Sequence, residues 1–317
     1  MTLGEFDLID RYFRDIGARR GDVILGVGDD AALLEPRDGR LLVAAVDTLV
    51  EATHFPVQSD PESIGHRSLA VNLSDLAAMG AEPTWALLAL TLPSADPAWL
   101  AAFAKGFTRL ARAHGVALVG GDTTSGPLSI TVTALGSLAP SRALRRSGGH
   151  AGDTLWVSGT PGDAACGLRF DIAGRRSESL SPEEQALRMR FRYPTPRVAL
   201  GQALAGFASA CIDVSDGLVA DAEKLAAASD CGLEIDVDRL PLSAALRHVA
   251  GLGEAQRLAM TGGDDYELCF SAPESRTEAP AGCTRIGSLT REKGVRLHAS
   301  GRPVDFAAAG FDHFARR

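Results

Sequence analysis

Cysteine is scarce and scattered. Cys166, Cys211, Cys231, Cys269 and Cys283 form no C-x-x-C pair, and their number is odd. That pattern argues against a disulfide framework or a zinc site and makes a reducing cytosol the expected home. Excess positive charge is missing too: 32 Lys and Arg stand against 40 Asp and Glu, a net charge of −8 at pH 7. Phosphate backbones and anionic lipid surfaces need a basic footprint, so neither nucleic acid nor membrane is an expected partner. Long hydrophobic runs are absent. The longest, around ALLALTL at residues 86–92, is far too short to span a bilayer. The N-terminal MTLGEFDLIDRYFRDIGARR lacks the apolar centre of a signal peptide. No G-x-x-x-x-G-K-[ST] phosphate loop, no D-x-[DN]-x-[DN]-G calcium loop and no fixed-period repeat can be found.

What is present is enough apolar residue, 45% of the 317, for two ordinary domains with full cores. Phe6, Ile9, Phe13 and Ile16 recur at helical spacing and predict a helix over residues 4–17. Strand, acid cluster, strand, the turn EPRDG and another strand follow. Asp60-Pro61 and Asp96-Pro97 each read as an N-cap followed by proline at the first helical position. The first helix is expected to run to about Met79 and the second to close at Gly115. TWALLALTLP, VALVGGD and LSITVTALGSL read as strands. The texture then turns basic and glycine-rich in APSRALRRSGGHAGD, which marks the expected boundary: a domain over 1–138, a linker over 139–151 and a second domain over 152–317. In the second half, helices are expected at 162–173, at 181–205 with a break at YPTP, and from Asp216 to Ser229. Strands are expected at TLWVSG, SACIDV and near 233–237, 266–271, 284–289 and 295–298. The irregular alternation favours α+β over a doubly wound sheet.

One pattern repeats through this framework: an apolar run ends at an aspartate beside Gly, Ser or Thr. It occurs in GVGDDAALL, AVDTL, LVGGDTTSG, IDVSDGL and TGGDDYEL. GVGDDA fits the dinucleotide fingerprint G-x-G-x-x-A, but Asp29 and Asp30 occupy the path a pyrophosphate would take and Pro36 closes off the helix that should follow. Adjacent carboxylates repel, and either one buried alone is costly. Magnesium offers a common explanation, because it takes carboxylate, water and phosphate oxygens with only one or two carboxylates per ion. Asp30, Asp47, Asp75, Asp122, Asp213 and Asp216 can together hold several ions around a polyphosphate. Taken singly, each also reads as a cap or turn residue; Asp216, before a helix, is the clearest candidate N-cap.

Other residues carry two readings. Asn72, Asp75 and Met79 share one helix face, where Asp75 faces either a metal or solvent. LVGGDTTSG offers consecutive backbone N–H groups suited to phosphate, or a plain loop. Arg145 and Arg146 can grip a phosphate bidentately or sit solvated between domains. His54 in EATHFP lies just past Asp47, within reach of a substrate phosphate or as a structural histidine.

GVGDDAALL, AVDTLVEATHF, NLSDLAAMGAEP, LVGGDTTSG, RFRYPTPRV, DVSDGL, GGDDYEL and the terminal GFDHF fall in the order seen in thiamine-monophosphate kinases. The chain resembles that family from end to end. The family belongs with aminoimidazole ribonucleotide synthetase and selenophosphate synthetase. The resemblance therefore implies an N-terminal mixed sheet with helices that dimerises, and a C-terminal α/β domain. It also implies phosphorylation of thiamine monophosphate by ATP, several Mg²⁺ ions with K⁺ a further candidate, and a cytoplasmic homodimer. By resemblance, Asp30, Asp47, Asp75, Asp122 and Asp213 are magnesium ligands and Asp216 a further metal position. Gly121, Asp122, Arg146 and Ser215 contact ATP, and His54, Asp264 and Phe311 contact thiamine monophosphate. Three departures stand out: Ala45 and Val46 replace hydroxyl residues before Asp47, Asp264 replaces a glutamate, and Phe311 replaces a tryptophan.

The implied chemistry agrees with the residues. A phosphate oxygen is already ionised near neutral pH, so no general base is needed; what remains is to join two polyanions and neutralise the transferred phosphoryl group, with Asp122 and Arg146 as the catalytic candidates. The rivals are another ATP-dependent synthetase of the same superfamily, against which GGDDYEL and GFDHF argue, and a non-enzymatic cation-binding protein. Phe311 tests the substrate assignment. A stacked aromatic contact adds about 0.5–1.5 kcal/mol to roughly 1.5–3 kcal/mol for a buried Phe side chain. Phe311→Ala is expected to raise KM for thiamine monophosphate roughly tenfold to a few hundredfold and to leave KM for ATP nearly unchanged. Equal losses for both substrates in steady-state kinetics, with a lowered Tm, would make Phe311 a tail anchor instead.

Overall fold

The computed structural model of the chain describes residues 5–28, 30–278 and 280–304; Asp29, Phe311 and the GFDHF motif lie outside them. Packing divides the chain into two units: residues up to Leu76 with Ala81–Ser141, and Ala77–Gly80 with the residues from Arg142 on.

The first unit contains α1 (Glu5–Tyr12), β1 (Val23–Leu25), β2 (Leu33–Leu34), β3 (Leu41–Val50), α2 (Pro61–Ala78), β4 (Glu82–Leu92), α3 (Pro97–Ala113), β5 (Ala117–Ser125) and β6 (Ser129–Leu138). α1 stops well short of residue 17. Beyond it Gly17, at φ +87°, lies against the chain entering β5, where a Cβ would stand 2.5 Å from the Val116 carbonyl, and the Ala18 N–H donates to that carbonyl. Tertiary pairing outweighs the helical period there. The two Asp-Pro starts form as the sequence dictates: Asp60 accepts from the Ser63 N–H at 3.0 Å and Asp96 from the Ala98 N–H at 2.9 Å.

The four strands run in the order β3-β6-β4-β5. Pairings are antiparallel except β4 with β5, which are parallel and joined through α3. One face buries Leu88, Leu90, Ile130 and Val132. α2 and α3 cross with almost no space between them: a Cβ at Gly65 would lie 2.1 Å from the Phe103 carbonyl, and one at Gly106 1.9 Å from that of Glu62. The other face packs Trp85, Ala117 and Val119 against Val23 and Leu34 of the β1–β2 hairpin. Beyond the hairpin it leaves Leu42, Val46, Val50 and Leu87 exposed.

The second unit contains β7 (Thr154–Ser158), α4 (Asp163–Ile172), α5 (Pro182–Arg192), α6 (Val198–Leu204), β8 (Ala210–Val214), α7 (Leu218–Ala228), β9 (Gly232–Asp236), α8 (Ala244–Ala250), α9 (Leu252–Thr261), β10 (Glu267–Ala272), β11 (Cys283–Thr290), β12 (Val295–Ala299) and β13 (Arg302–Pro303). Its sheet runs β13-β12-β9-β11-β7-β10-β8, with β12 and β9 the parallel pair. α5 starts on a reciprocal Ser181–Glu184 capping box with Pro182 behind it. α8 and α9 were not anticipated: each is short, and Gly251 at φ +73° separates them, so neither shows a sustained period. A core of Leu155, Ile212, Leu225, Leu233 and Ile286 fills one side of the sheet, and Cys166, Leu187, Leu246 and Leu258 form a smaller cluster among the helices. Among the described residues no helix is long and apolar enough to cross a membrane.

Glu267 opens β10 with no exposed surface. It accepts from Arg197 Nε at 2.6 Å and Nη2 at 2.5 Å, from Arg190 Nη2 at 2.7 Å and from the Ser158 hydroxyl at 2.5 Å. Gly159 makes room for it, since a Cβ there would lie 2.0 Å from Glu267 Oε1. The carboxylate thus ties RFRYPTPRV to the central sheet. Glu267→Ala leaves two guanidinium groups without their acid. The expected loss is about 3 kcal/mol, at the low end for a broken buried pair because both arginines still touch water. Urea unfolding with an unshifted midpoint would contradict this.

Candidate active site

In the first unit, Asp122 sits on β5 directly after Gly120 and Gly121. Gly121, at φ +154°, lies so close to β4 that a Cβ would meet the Leu88 carbonyl at 1.8 Å; only glycine fits. Beside this strand is a cavity of about 470 Å³ whose lining includes Gly28, Asp30, Gly120, Gly121, Asp122 and Arg14. Its size suits a small-molecule ligand. Asp30 and Asp122, far apart in sequence, therefore line one cavity. Arg14 was not a sequence candidate, because an arginine on the polar side of a short helix reads as solvated. Its guanidinium pairs with Asp10 and lies over Gly28, where a Cβ would be 3.0 Å from Nη2.

Asp47 lies on edge strand β3. Its backbone N–H donates to Asn72 Oδ1 at 3.1 Å, and the Asn72 amide donates to the Ser68 carbonyl. The face of α2 that carries Asn72 and Asp75 thus turns toward β3. α2 is buried on nearly all sides, with Asp75 a half-buried exception. Burial holds the Asp47 carboxyl above the usual carboxylate range, opposed by a hydrogen bond to Asp75. Two carboxylates so placed repel once both are ionised, and a divalent cation would relieve that repulsion, so this donor set fits Mg²⁺. Among the described residues no three His, Cys, Asp or Glu side chains form a ready-made ion cage. His54 follows β3 in a turn where Ala52 has φ +64°; its Nδ1 accepts from the Val50 N–H at 2.9 Å, which commits that nitrogen to the backbone.

In the second unit, Asp213 is the penultimate residue of β8, opposite Leu268, and is buried. Asp216 does not cap α7, contrary to the reading of it as the clearest N-cap. The cap is Gly217, which has no side chain to serve. Asp221, inside the helix and 1% exposed, accepts instead from the Ser215 and Asp216 N–H groups, both at 2.9 Å. Burial pushes the Asp221 carboxyl upward while Lys224 draws it down. Lys224 also bonds to Asp216 at 2.5 Å, so Asp216 already has a cation partner. Asp221 was invisible as a site residue, because an acid in the first turn of a helix is ordinary. Arg146 is exposed; its carbonyl accepts from the Ser229 hydroxyl, and the Cys211 N–H donates to the Arg145 carbonyl.

Asp264 and Tyr266 have positive φ, +69° and +52°, a conformation that costs a non-glycine residue about 1–3 kcal/mol. The Asp264 N–H donates to the Ser215 carbonyl and the Tyr266 N–H to the Val214 carbonyl, both at 2.9 Å. The second unit therefore brings Asp213, Ser215, Asp216 and Asp264 together around the ends of β8 and β10, and the first brings together Asp30, Gly121 and Asp122, with Asp47 and Asp75 as a separate pair.

Residues 28–138 match the model for the N-terminal domain of AIR synthase related proteins, and residues 150–299 match that for the C-terminal domain. The thiamine-monophosphate kinase of Salmonella typhimurium is 46% identical over 99% of both chains, and that of Escherichia coli is 44% identical over the same shares. The crystal structure of thiamine-monophosphate kinase from Stenotrophomonas maltophilia superposes with a TM-score of 0.84 at 47% identity, covering 96% of this chain and 99% of that one. AaThiL complexed with AMPPCP and TMP gives a TM-score of 0.81 at 32% identity over 99% of each. Sequence, fold and the collinear acidic motifs agree: this chain belongs to the thiamine-monophosphate kinase family.

Proposed function

We infer that the chain transfers the γ-phosphoryl group of ATP to the phosphate of thiamine monophosphate, giving thiamine diphosphate and ADP. The observation that carries the reading is that a relative matching the chain end to end, AaThiL, was solved with AMPPCP, an ATP analogue, together with TMP. A substrate phosphate oxygen attacks the γ-phosphorus while the bond to the β,γ-bridging oxygen breaks and ADP leaves. The attacking oxygen carries its own negative charge, so the chain need supply no base. Its task is to bring two polyanions into line.

Asp30, Asp47, Asp75, Asp122, Asp213 and Asp216 are the proposed magnesium ligands. Bound Mg²⁺ would neutralise the triphosphate and the phosphoryl group in flight. Gly121 offers unobstructed backbone beside the phosphates, Ser215 a further nucleotide contact, and Arg146 a planar fork for phosphate oxygens. His54, Asp264 and Phe311 are proposed to hold thiamine monophosphate. K⁺ is a further candidate counterion. We also propose a cytoplasmic homodimer. Five free cysteines fit a reducing compartment, and Leu42, Val46, Val50 and Leu87 on the uncovered sheet face are a patch that a second copy would bury.

Asp122 tests the reading most directly. Asp122→Asn keeps size and shape but removes the charge. It should lower kcat by about two orders of magnitude or more, the scale of losing one transition-state charge contact. Circular dichroism and Tm should stay at wild-type values. Full ADP production, dependent on thiamine monophosphate, in the folded variant would remove Asp122 from the mechanism. ADP production indifferent to thiamine monophosphate in the wild type would favour another synthetase of the superfamily.

A further inference from the structure

Asp265 is buried, 1% exposed, between two residues whose backbones are both left-handed. Its carboxylate does not point toward the β8–α7 loop that its neighbours bond. It accepts from the Gly162 N–H at 2.7 Å and the Ala164 N–H at 3.3 Å, the unsatisfied donors that begin α4. Gly162 itself is φ +91°, with no room for a Cβ against the Leu258–Ala259 backbone. Gly263 is equally confined, a Cβ there lying 2.3 Å from the Ser215 carbonyl. Asp265 therefore faces a fixed helix start, while Asp264 and Tyr266 on either side donate their N–H groups to Ser215 and Val214. The Tyr266 hydroxyl reaches Asp264 Oδ1 at 3.3 Å.

We propose that Asp265 is a positioning residue for substrate binding: by anchoring to the N-terminus of α4 it forces the left-handed turn that presents the Asp264 carboxylate beside Ser215. The inference rests on the reading of Asp264 as a contact of thiamine monophosphate. A relaxed turn is free to return Asp264 to the ordinary negative-φ basin, which swings its carboxylate away from the β8–α7 loop. Nothing in this linkage touches Gly121 or Asp122, and it meets the proposed nucleotide contacts only at the Ser215 carbonyl, so the larger effect falls on thiamine monophosphate. The sequence offers the same logic: an aspartate shorter than the family's glutamate depends more on where its backbone is held.

The test compares Asp264→Ala, Asp265→Ala and Asp265→Asn by steady-state ADP production and by thermal melting. Asp265→Ala should raise KM for thiamine monophosphate by roughly ten- to a hundredfold, the range for a contact displaced by about an ångström, with KM for ATP rising at most about threefold, since of the proposed ATP contacts only the Ser215 backbone lies on this linkage. Asp265→Asn keeps one acceptor oxygen and should fall between wild type and the alanine variant. The proposal is overturned if folded Asp265→Ala binds thiamine monophosphate as wild type does, or if both KM values rise alike with a lowered Tm. Should Asp265→Ala not fold, Asp265→Asn decides: an unchanged KM for thiamine monophosphate overturns the proposal, and a selective rise supports it. Asp264→Ala separates the two levels. If it leaves KM for thiamine monophosphate at the wild-type value, the substrate role of Asp264 fails and the inference with it; if it raises that KM while the Asp265 variants do not, only the positioning role fails.

Discussion

A carboxylate withdrawn from water is costly until a donor or a positive charge meets it, and the two units are arranged around carboxylates so withdrawn. Three kinds of compensation appear. Glu267 has two arginines. Asp265 and Asp221 have backbone N–H groups, with Lys224 added to the latter. Asp47 faces a second acid, Asp75, in a partly buried place. The first two kinds are complete within the chain and serve architecture. The third sets acid against acid, the kind of arrangement a divalent cation would suit.

The same division explains the glycines. Gly159 stands aside for Glu267, Gly162 for the α9 backbone and Gly121 for β4. Gly121 differs in consequence, because it also lines the cavity shared by Asp30 and Asp122. Close backbone approach and two acids lining one cavity are features a polyphosphate with its cations would need.

Arg14 and Asp221 show how supporting residues escape notice. Arg14 reaches the cavity from the turn just after α1, and its pairing partner, Asp10, is four residues back, so its sequence context is that of a surface ion pair. Asp221 holds the Ser215–Asp216 backbone from within α7. Each acts through a fold-dependent contact, and neither has a spacing rule to announce it.

Local chemistry was legible in the sequence. Asp60-Pro61 and Asp96-Pro97 start helices because a side chain and a ring act within a few residues of themselves. The acids that close the apolar runs were legible too, although β3 runs on past Asp47 to Val50 and β5 past Asp122 to Ser125. The α+β class followed from the order of the elements. What only the tertiary structure decided is whatever depends on a distant partner. α1 ends at Tyr12 because Gly17 must meet the start of β5. Asp216 leaves α7 uncapped because Gly217 holds the N-cap position, and the Asp216 carboxylate pairs with Lys224 instead. Asp75 faces Asp47 because α2 packs against the edge strand through Asn72. Side-chain periods set which residues share a face, but the register between elements sets what that face meets, and register is a property of the folded chain.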